Sequence, residues 1–367
     1  MQTLDAIQTK ADTAAHIELM GVLEDIAWHV EIRDDFSIHH PSYKPLEIPA
    51  EAIERFQKMP EQMQQKFLSL QLRSFLYGIY YNGAMRSSLA LDSEDQAPLL
   101  DLENNTVMGI DMAFFQQLHE SNSGEGYFAG GWKVLKEEEN GGLVVSNGEL
   151  RLHIRRDKHL PEAEQQAQLG DIVAIKMPKN RMQNGFYMAV GNLGFSRPQA
   201  GDALVRVYFN VTAEGSIAVM KSLTQELNAV GLSFSFKVLY NPKDYNRFDS
   251  GVLYFDWQDY EVVLGVLNKI HAEHRSHFVP KIPLFTKQLA VGLGLAEEPD
   301  QKFAERESFG MNRCQIVANG LLELFYQGQN SYAKRMKAIT DQFYLVGIDL
   351  QHPHINNGSK DIYRAIG

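Results

Sequence analysis

The sequence predicts an α+β protein: a helical N-terminal region packed on a mixed, largely antiparallel sheet domain. Three observations carry this reading. Apolar residues recur at helical spacing through the first 92 positions; from about residue 140 the period shortens to two, with turn residues between the runs. Strands are then followed by helices, with few of the strand–helix–strand spacings that a doubly wound sheet requires.

The elements follow in order. "ADTAAHIELMGVLEDIAWHV" and "MPEQMQQKFLSLQLRSFLYGIYYNG" read as helices, the second beginning after Pro60 and stopping at Asn82-Gly83. Between them "HHPSYKPLEIP" holds three prolines and is expected to be extended loop. A polar stretch from Leu91 to Asn105 separates a helical region (1–92) from an α+β domain (93–350). "GGLVVSNGELRLHI" is a hairpin about Asn147-Gly148, a pair that favours a tight primed turn. "DIVAIKMPKNRMQNGFYMAVGN" reads as a second strand pair bending near Gln183-Asn184-Gly185, and "ALVRVYFNVT" as a further strand. "AEGSIAVMKSLTQELNAVG" is an amphipathic helix closed by Gly231. Two strands in "SFKVLYNPKDYNRFDSGVLYF", the helix "DYEVVLGVLNKIHAEH" and an extended "VPKIPLFTKQLA" come next. Ser308 is placed to cap the helix "SFGMNRCQIVANGLLELFYQ", and 351–367 is expected to be a polar tail.

Composition narrows the function. The 367 residues carry a formal net charge of -11, which argues against nucleic-acid binding and adhesion to anionic membrane. No apolar run reaches the roughly 18 residues of a membrane span, and no signal peptide is evident. The single cysteine, Cys314, lies in an apolar helix pattern and reads as a buried, inert thiol in a reducing, cytoplasmic compartment.

Several machines are missing. There is no phosphate-binding Walker loop, kinase signature or nucleophile elbow, since "GFSRP" breaks the last at its final position. "GLGLAEE" lacks the third glycine of a dinucleotide turn, and "SGEGYFAGGW" reads as a mobile loop. His271, His274 and His277 recur every third residue but drift off one helix face without a carboxylate, which favours a solvated helix end over a metal site.

What remains is a set of cations on strands. Alternation puts Arg206, Tyr208 and Asn210 on one face of their strand, Lys237 with Ser235 and Leu239, Tyr254 with Val252, and Lys287 with Phe285. If the strands are neighbours, Arg206, Lys237, Tyr254 and Lys287 converge. Arg313 sits near the start of the helix that Ser308 caps, where free N–H groups favour an anion and Gly310 lets a ligand approach. Each cation singly is more often an edge protector or an ion-pair partner, and Asp249 is an obvious partner for Arg247. Together, Arg206, Lys237, Arg247, Lys287 and Arg313 point to a local anion site in an acidic protein.

The same residues carry a resemblance. "LYGIYYNG", "HESNSGEGYF", "DIVAIKMPKN", "QNGFYMAVGN", "RVYFNV", "SFKVLYNP", "RFDSGVLYF", "PLFTK", "GLGLAEEP" and "SFGMNRCQIVANGL", in this order, resemble the HopA-type effector family. That family holds type III effectors of plant pathogens, cyanobacterial homologues and the lyase partners of class V lanthipeptide and thioamitide-like biosynthesis. For the lyase branch the resemblance implies β-elimination of phosphate from phosphoserine or phosphothreonine in a peptide or protein, without a cofactor, after a separate kinase has acted. Such chemistry needs a base for the α-proton, a clamp for the phosphate and an optional acid. The chemistry assigns Lys237 as base, with Lys176 as its rival; Tyr254 or Tyr208 as acid; and Arg206, Asn210, Arg247, Lys287, Ser308, Gly310 and Arg313 as phosphate or substrate contacts. The effector branch implies instead a non-catalytic protein that binds a phosphorylated or acidic partner.

Overall fold

The computed structural model describes residues 4–92, 109–196, 203–329 and 331–366. Helix α1 (Leu4–His29) leads into a small antiparallel sheet of β1 (Glu31–Ile32), β2 (Ile38–His40) and β3 (Tyr43–Leu46). The proline-rich stretch expected to be loop thus supplies strands, because Pro41 falls in the turn and Pro45 lies on an edge strand, where its missing N–H is harmless. Helices α2 (Ala50–Gln57) and α3 (Glu61–Leu76) follow, and α3 runs into a π turn at Tyr77–Tyr81. The stretch 93–105 expected to separate two regions lies outside the described residues.

Helix α4 (Met112–Ser121), capped by Asp111, precedes a four-stranded antiparallel sheet. Its strands are β4 (Tyr127–Glu137), β5 (Leu143–Ser146), β6 (Arg151–Ile154) and β7 (Ile172–Met177), with the short α5 (Arg156–His159) between the last two. Two readings change here. The glycine-rich "GEGYFAGGW" is mostly strand β4, and β7 pairs with β4 rather than with the strand after it. The hairpin about Asn147-Gly148 forms as expected.

The largest sheet has the order β13-β14-β10-β12-β11-β9-β8 and is antiparallel throughout. Its strands are β8 (Asn180–Gln183), β9 (Phe186–Val190), β10 (Leu204–Phe209), β11 (Ser235–Leu239), β12 (Gly251–Asp256), β13 (Lys287–Ala290) and β14 (Leu293–Glu297). Helix α6 (Ala213–Ala229), capped by Thr212, and α7 (Tyr260–Glu273) cover one face with α4, burying Val205, Val207, Phe236, Val238, Leu253 and Phe255. Helix α8 (Phe309–Tyr326), capped by Ser308, joins α1, α3 and α9 (Tyr332–Leu345) in a second core, which takes Tyr208, Val252 and Ala296 from the opposite face. That second layer covers the β14, β10 and β12 part and leaves the β11, β9 and β8 part partly open.

The C-terminal segment is not a loose tail. Tyr363 is buried, the Ile366 N–H donates to Leu289 O at the β13 edge, and Lys287 bonds Asp361 at 2.7 Å.

Candidate functional site

Registers decide which cations meet. Arg206 stands opposite Tyr254, and Tyr254 opposite Ser235; one step along, Tyr208, Val252, Lys237 and Met188 line up across four strands, and Arg181 faces Met188. Directly paired residues share a face, so Arg206, Tyr254, Lys237 and Arg181 lie on the side turned away from α6 and α7.

Their heads interleave with aromatic rings. The Arg206 guanidinium lies 5.0 Å from the Tyr254 ring centre, Lys237 Nζ lies 5.6 Å from the same ring and 4.4 Å from Phe186, and the Arg247 guanidinium lies 5.8 Å from Phe186. Cation and ring thus alternate across the sheet, each contact favouring positive charge. Partners then divide the cations. Arg206 is paired with Glu298, and burial, which opposes its charge, is outweighed by Tyr254, Tyr208 and Glu298, so its pKa is raised. Arg247 grips Asp249 through Nε at 2.5 Å and Nη2 at 2.8 Å. Burial opposes its charge too, but Asp249 wins and the pKa rises. Lys237 differs: its ammonium donates to the neutral Gln183 Oε1 at 3.2 Å, and among the described residues no carboxylate pairs with it.

A cleft of about 400 Å³ opens beside it, lined by Arg181, Gln183, Met188, Ser196, Ser235 and Tyr254 among others. Arg181 is exposed, lies 5.1 Å from the Phe195 ring centre, and has no carboxylate partner among the described residues. The Ser196 hydroxyl is buried in the wall without a hydrogen-bond partner. Among the described residues, two cations without a carboxylate partner and the Ser196 hydroxyl thus meet at one cleft. Arg181, Gln183 and Ser196 were missed by the sequence reading. The signal for Arg181 was the Asn184-Gly185 turn, which fixes it opposite Met188 once a tight hairpin is assumed.

The other expected contacts lie elsewhere. Lys287 is on the opposite face, opposite Leu295 and in line with Val207, because the chain turns at Phe285 with φ 69 and the assumed alternation does not run through it. Lys176 belongs to β7, in the four-stranded sheet. Asn210 donates to Lys281 O at 2.7 Å, tying down the segment before β13. Tyr208 is buried against Tyr81 and Phe309, and burial pushes its hydroxyl up to about 12.

Arg313 is internal. It donates to Pro353 O at 2.8 Å, Asn312 Oδ1 at 2.6 Å and Ile355 O at 3.1 Å, and burial lowers its pKa to about 10. Its forked donors hold the C-terminal segment instead of an anion. Ser308 caps α8 as expected, but a Cβ on Gly310 would meet Tyr81 ring atoms at 2.3 Å. Gly310 therefore admits a tyrosine, not a ligand.

The three histidines also separate. His271 bonds Val291 O, His274 bonds Ser222 Oγ and His277 faces Thr212 Oγ1. Asp25, His29 and His40 instead gather their ligand-type atoms within 4.8 Å. The His40 Nδ1 accepts from the Ser42 N–H, which leaves the proton on Nε2, 3.7 Å from Asp25. With Tyr80 and His29 bonding the same carboxylate, Asp25 is surrounded by donors, a poor vacancy for a cation.

Residues 177–355 match the HopA1 effector protein family. This span is a HopA-type domain. The matched span contains the whole seven-stranded sheet, α8 and every residue of the cleft; α1 to α4 lie outside it. Similar solved structures are an effector protein from Pseudomonas syringae pv. tomato strain DC3000 and one from Pseudomonas syringae pv. syringae strain 61. The first is 18% identical with a TM-score of 0.36, covering 67% of this chain and 81% of that one. The second is 16% identical with a TM-score of 0.41, covering 80% of this chain and 98% of that one. No curated protein matches. No helix among the described residues is long and apolar enough to cross a membrane.

Proposed function

We propose that this HopA-type protein binds the phosphate of a phosphoserine or phosphothreonine in a peptide or protein within the sheet cleft and eliminates it, as in lanthipeptide-like peptide maturation. The observation that carries the reading is Lys237, which has no carboxylate partner among the described residues and bonds Gln183 at the wall of a cleft that Arg181 also lines.

In the reaction an amine takes the α-proton, the C–H electron pair becomes the Cα=Cβ double bond, and the Cβ–O bond breaks with its electrons leaving on phosphate. The neutral amine form of Lys237, reached once its ammonium has lost a proton to solvent, is the base; Arg181 receives the phosphate charge, and Tyr254 protonates the leaving oxygen. The chain's own residues supply base, clamp and acid without a cofactor. A separate kinase must supply the phosphorylated substrate, and a reducing, cytoplasmic setting suits the lone buried thiol.

The test is incubation with phosphothreonine peptides, read by mass and by free phosphate. Loss of phosphoric acid from the peptide is expected, and recovery of the plain hydroxyl would make the protein a phosphatase. Lys237→Ala and Lys237→Arg separate the roles. A base is lost in both, since guanidinium does not deprotonate, whereas a clamp survives the arginine.

One observation favours binding without turnover. Arg206, Arg247, Lys287 and Arg313 are all committed to internal partners, so the remaining pair suits recognition of a phosphorylated or acidic partner. Tight phosphopeptide binding with an unchanged peptide mass is the outcome that selects this reading.

A further inference from the structure

The two edges of the seven-stranded sheet are treated differently. At β13 the C-terminal segment closes the edge, with the Ile366 N–H on Leu289 O at 2.9 Å. At β8 nothing among the described residues pairs with the outer side. The hydrogen-bonded pairs of the β8–β9 hairpin can be read from its register. Val190 N–H donates to Lys179 O, and Asn180 opposes Ala189, so 179, 181 and 183 bond inward. The backbone N–H and C=O of Asn180 and Met182 therefore face out from the edge. Met182 is 55% exposed there, an apolar side chain on a strand end that natural sheets usually blunt.

This open edge is also the rim of the cleft. Arg181 and Gln183 alternate with Met182 and point to the cleft face, and Lys237 reaches over Phe186 to bond Gln183 itself. A strand laid against β8 places every second side chain on that face, beside Arg181 and the Lys237 ammonium.

We propose that the partner is an extended phosphorylated peptide that adds as an eighth strand on β8, its backbone bonded to Met182 and its phosphate held by Arg181 and Lys237. The inference rests on the phosphate-binding reading of the cleft and adds how the peptide is held. Affinity comes from main-chain bonds, which are indifferent to sequence, and selection from the charge, so the site reads a phosphate in an extended segment more than a motif. The occupant is fixed by complementarity: among the described residues the cations at this edge have no carboxylate partner, and a phosphate supplies the missing charge.

The probe is a short peptide with a fixed central phosphothreonine and degenerate flanks, titrated by fluorescence anisotropy against the full chain. Peptides N-methylated at alternate amides lose the donors of one register only. One of the two series is expected to bind roughly tenfold or more weakly, while the other matches the parent. Met182→Pro removes an outward N–H and leaves the β9 ladder whole, because position 182 does not bond inward; it is expected to weaken the parent to a similar degree. If the proline variant misfolds, the methylated peptides still decide the question. Equal binding of both methylated series overturns strand addition while leaving the phosphate site standing. Equal binding of the unphosphorylated peptide overturns the charge selection. Failure of the parent phosphopeptide to bind at all removes both the cleft reading and this inference.

Discussion

Gly310→Ala tests whether the start of α8 is an anion site or a packing joint. An ordinary carbon–carbon contact lies at about 3.5–4.0 Å, whereas the new Cβ would sit 2.3 Å from Tyr81 Cε1 and Cζ and 2.7 Å from Cδ1. Tyr81 has little room to yield. It is 1% exposed, stacks on Tyr77 at 4.9 Å, and meets Tyr208 and Phe309 at 6.3 and 6.4 Å. Overpacking of this kind costs about 1–3 kcal/mol, occasionally more. Alanine returns under about 1 kcal/mol of helix propensity, less in a first turn. The net expectation is a loss of about 0.5–2.5 kcal/mol, or roughly 1–3 °C in melting temperature for a chain of this size. Thermal denaturation of Gly310→Ala, Tyr81→Ala and the double variant measures it. The double variant should be less destabilised than the sum, since removing the ring removes the overlap. Phosphopeptide binding should be unchanged, because Gly310 does not line the cleft. An undiminished melting temperature with lost phosphate binding would refute the packing argument and return Gly310 to the ligand.

Two further perturbations test the committed charges. Asp249→Ala leaves Arg247 without its carboxylate and strips an acceptor from Tyr77 and Asn82. Breaking a buried pair costs about 3–5 kcal/mol, and the low end is expected because 19% of the Arg247 side chain stays accessible. Denaturant titration should show a smaller loss for Arg247→Met with Asp249→Leu than for Asp249→Ala alone. The C-terminal clasp should loosen in acid. Burial lowers the His354 pKa, and although burial works against it, the bonds from His354 and Lys287 hold the Asp361 carboxyl well below the usual range. Both groups therefore titrate lower folded than unfolded. Their stability is full above the unfolded values and declines as pH falls below about 6.5 for His354 and about 3.9 for Asp361. Hydrogen exchange of 351–366 against pH should show the first step vanish in His354→Gln.

Strand alternation was legible wherever the chain stayed extended. Period-two reading put Arg206 and Tyr208 on one face, Lys237 with Ser235, and Tyr254 with Val252, and the registers bring these faces together. It failed at Lys287 for a local reason: Phe285 adopts a left-handed conformation, rare for an aromatic residue, and no pattern in "PLFTK" announces it. It failed at Arg313 and Gly310 for a different one. An arginine and a glycine at a helix start look the same in sequence whether the neighbour is an anion, a carbonyl or a ring; here the neighbours come from residues 353–355 and from Tyr81. Strand β8 was hardest, since "NRMQ" has no apolar alternation, and only the Asn184-Gly185 turn implies a partner for β9. The residues left unneutralised are thus those with the weakest sequence signal, and there is a physical reason. A cation whose partner lies within the fold is fixed by internal packing, which leaves traces such as Asp249 beside Arg247. A cation kept for an external anion sits on an open edge, where packing imposes little on the sequence around it. Lys237 joins the two cases. Its strand and aromatic neighbours mark its position, while among the described residues its hydrogen-bond partner is the neutral amide of Gln183.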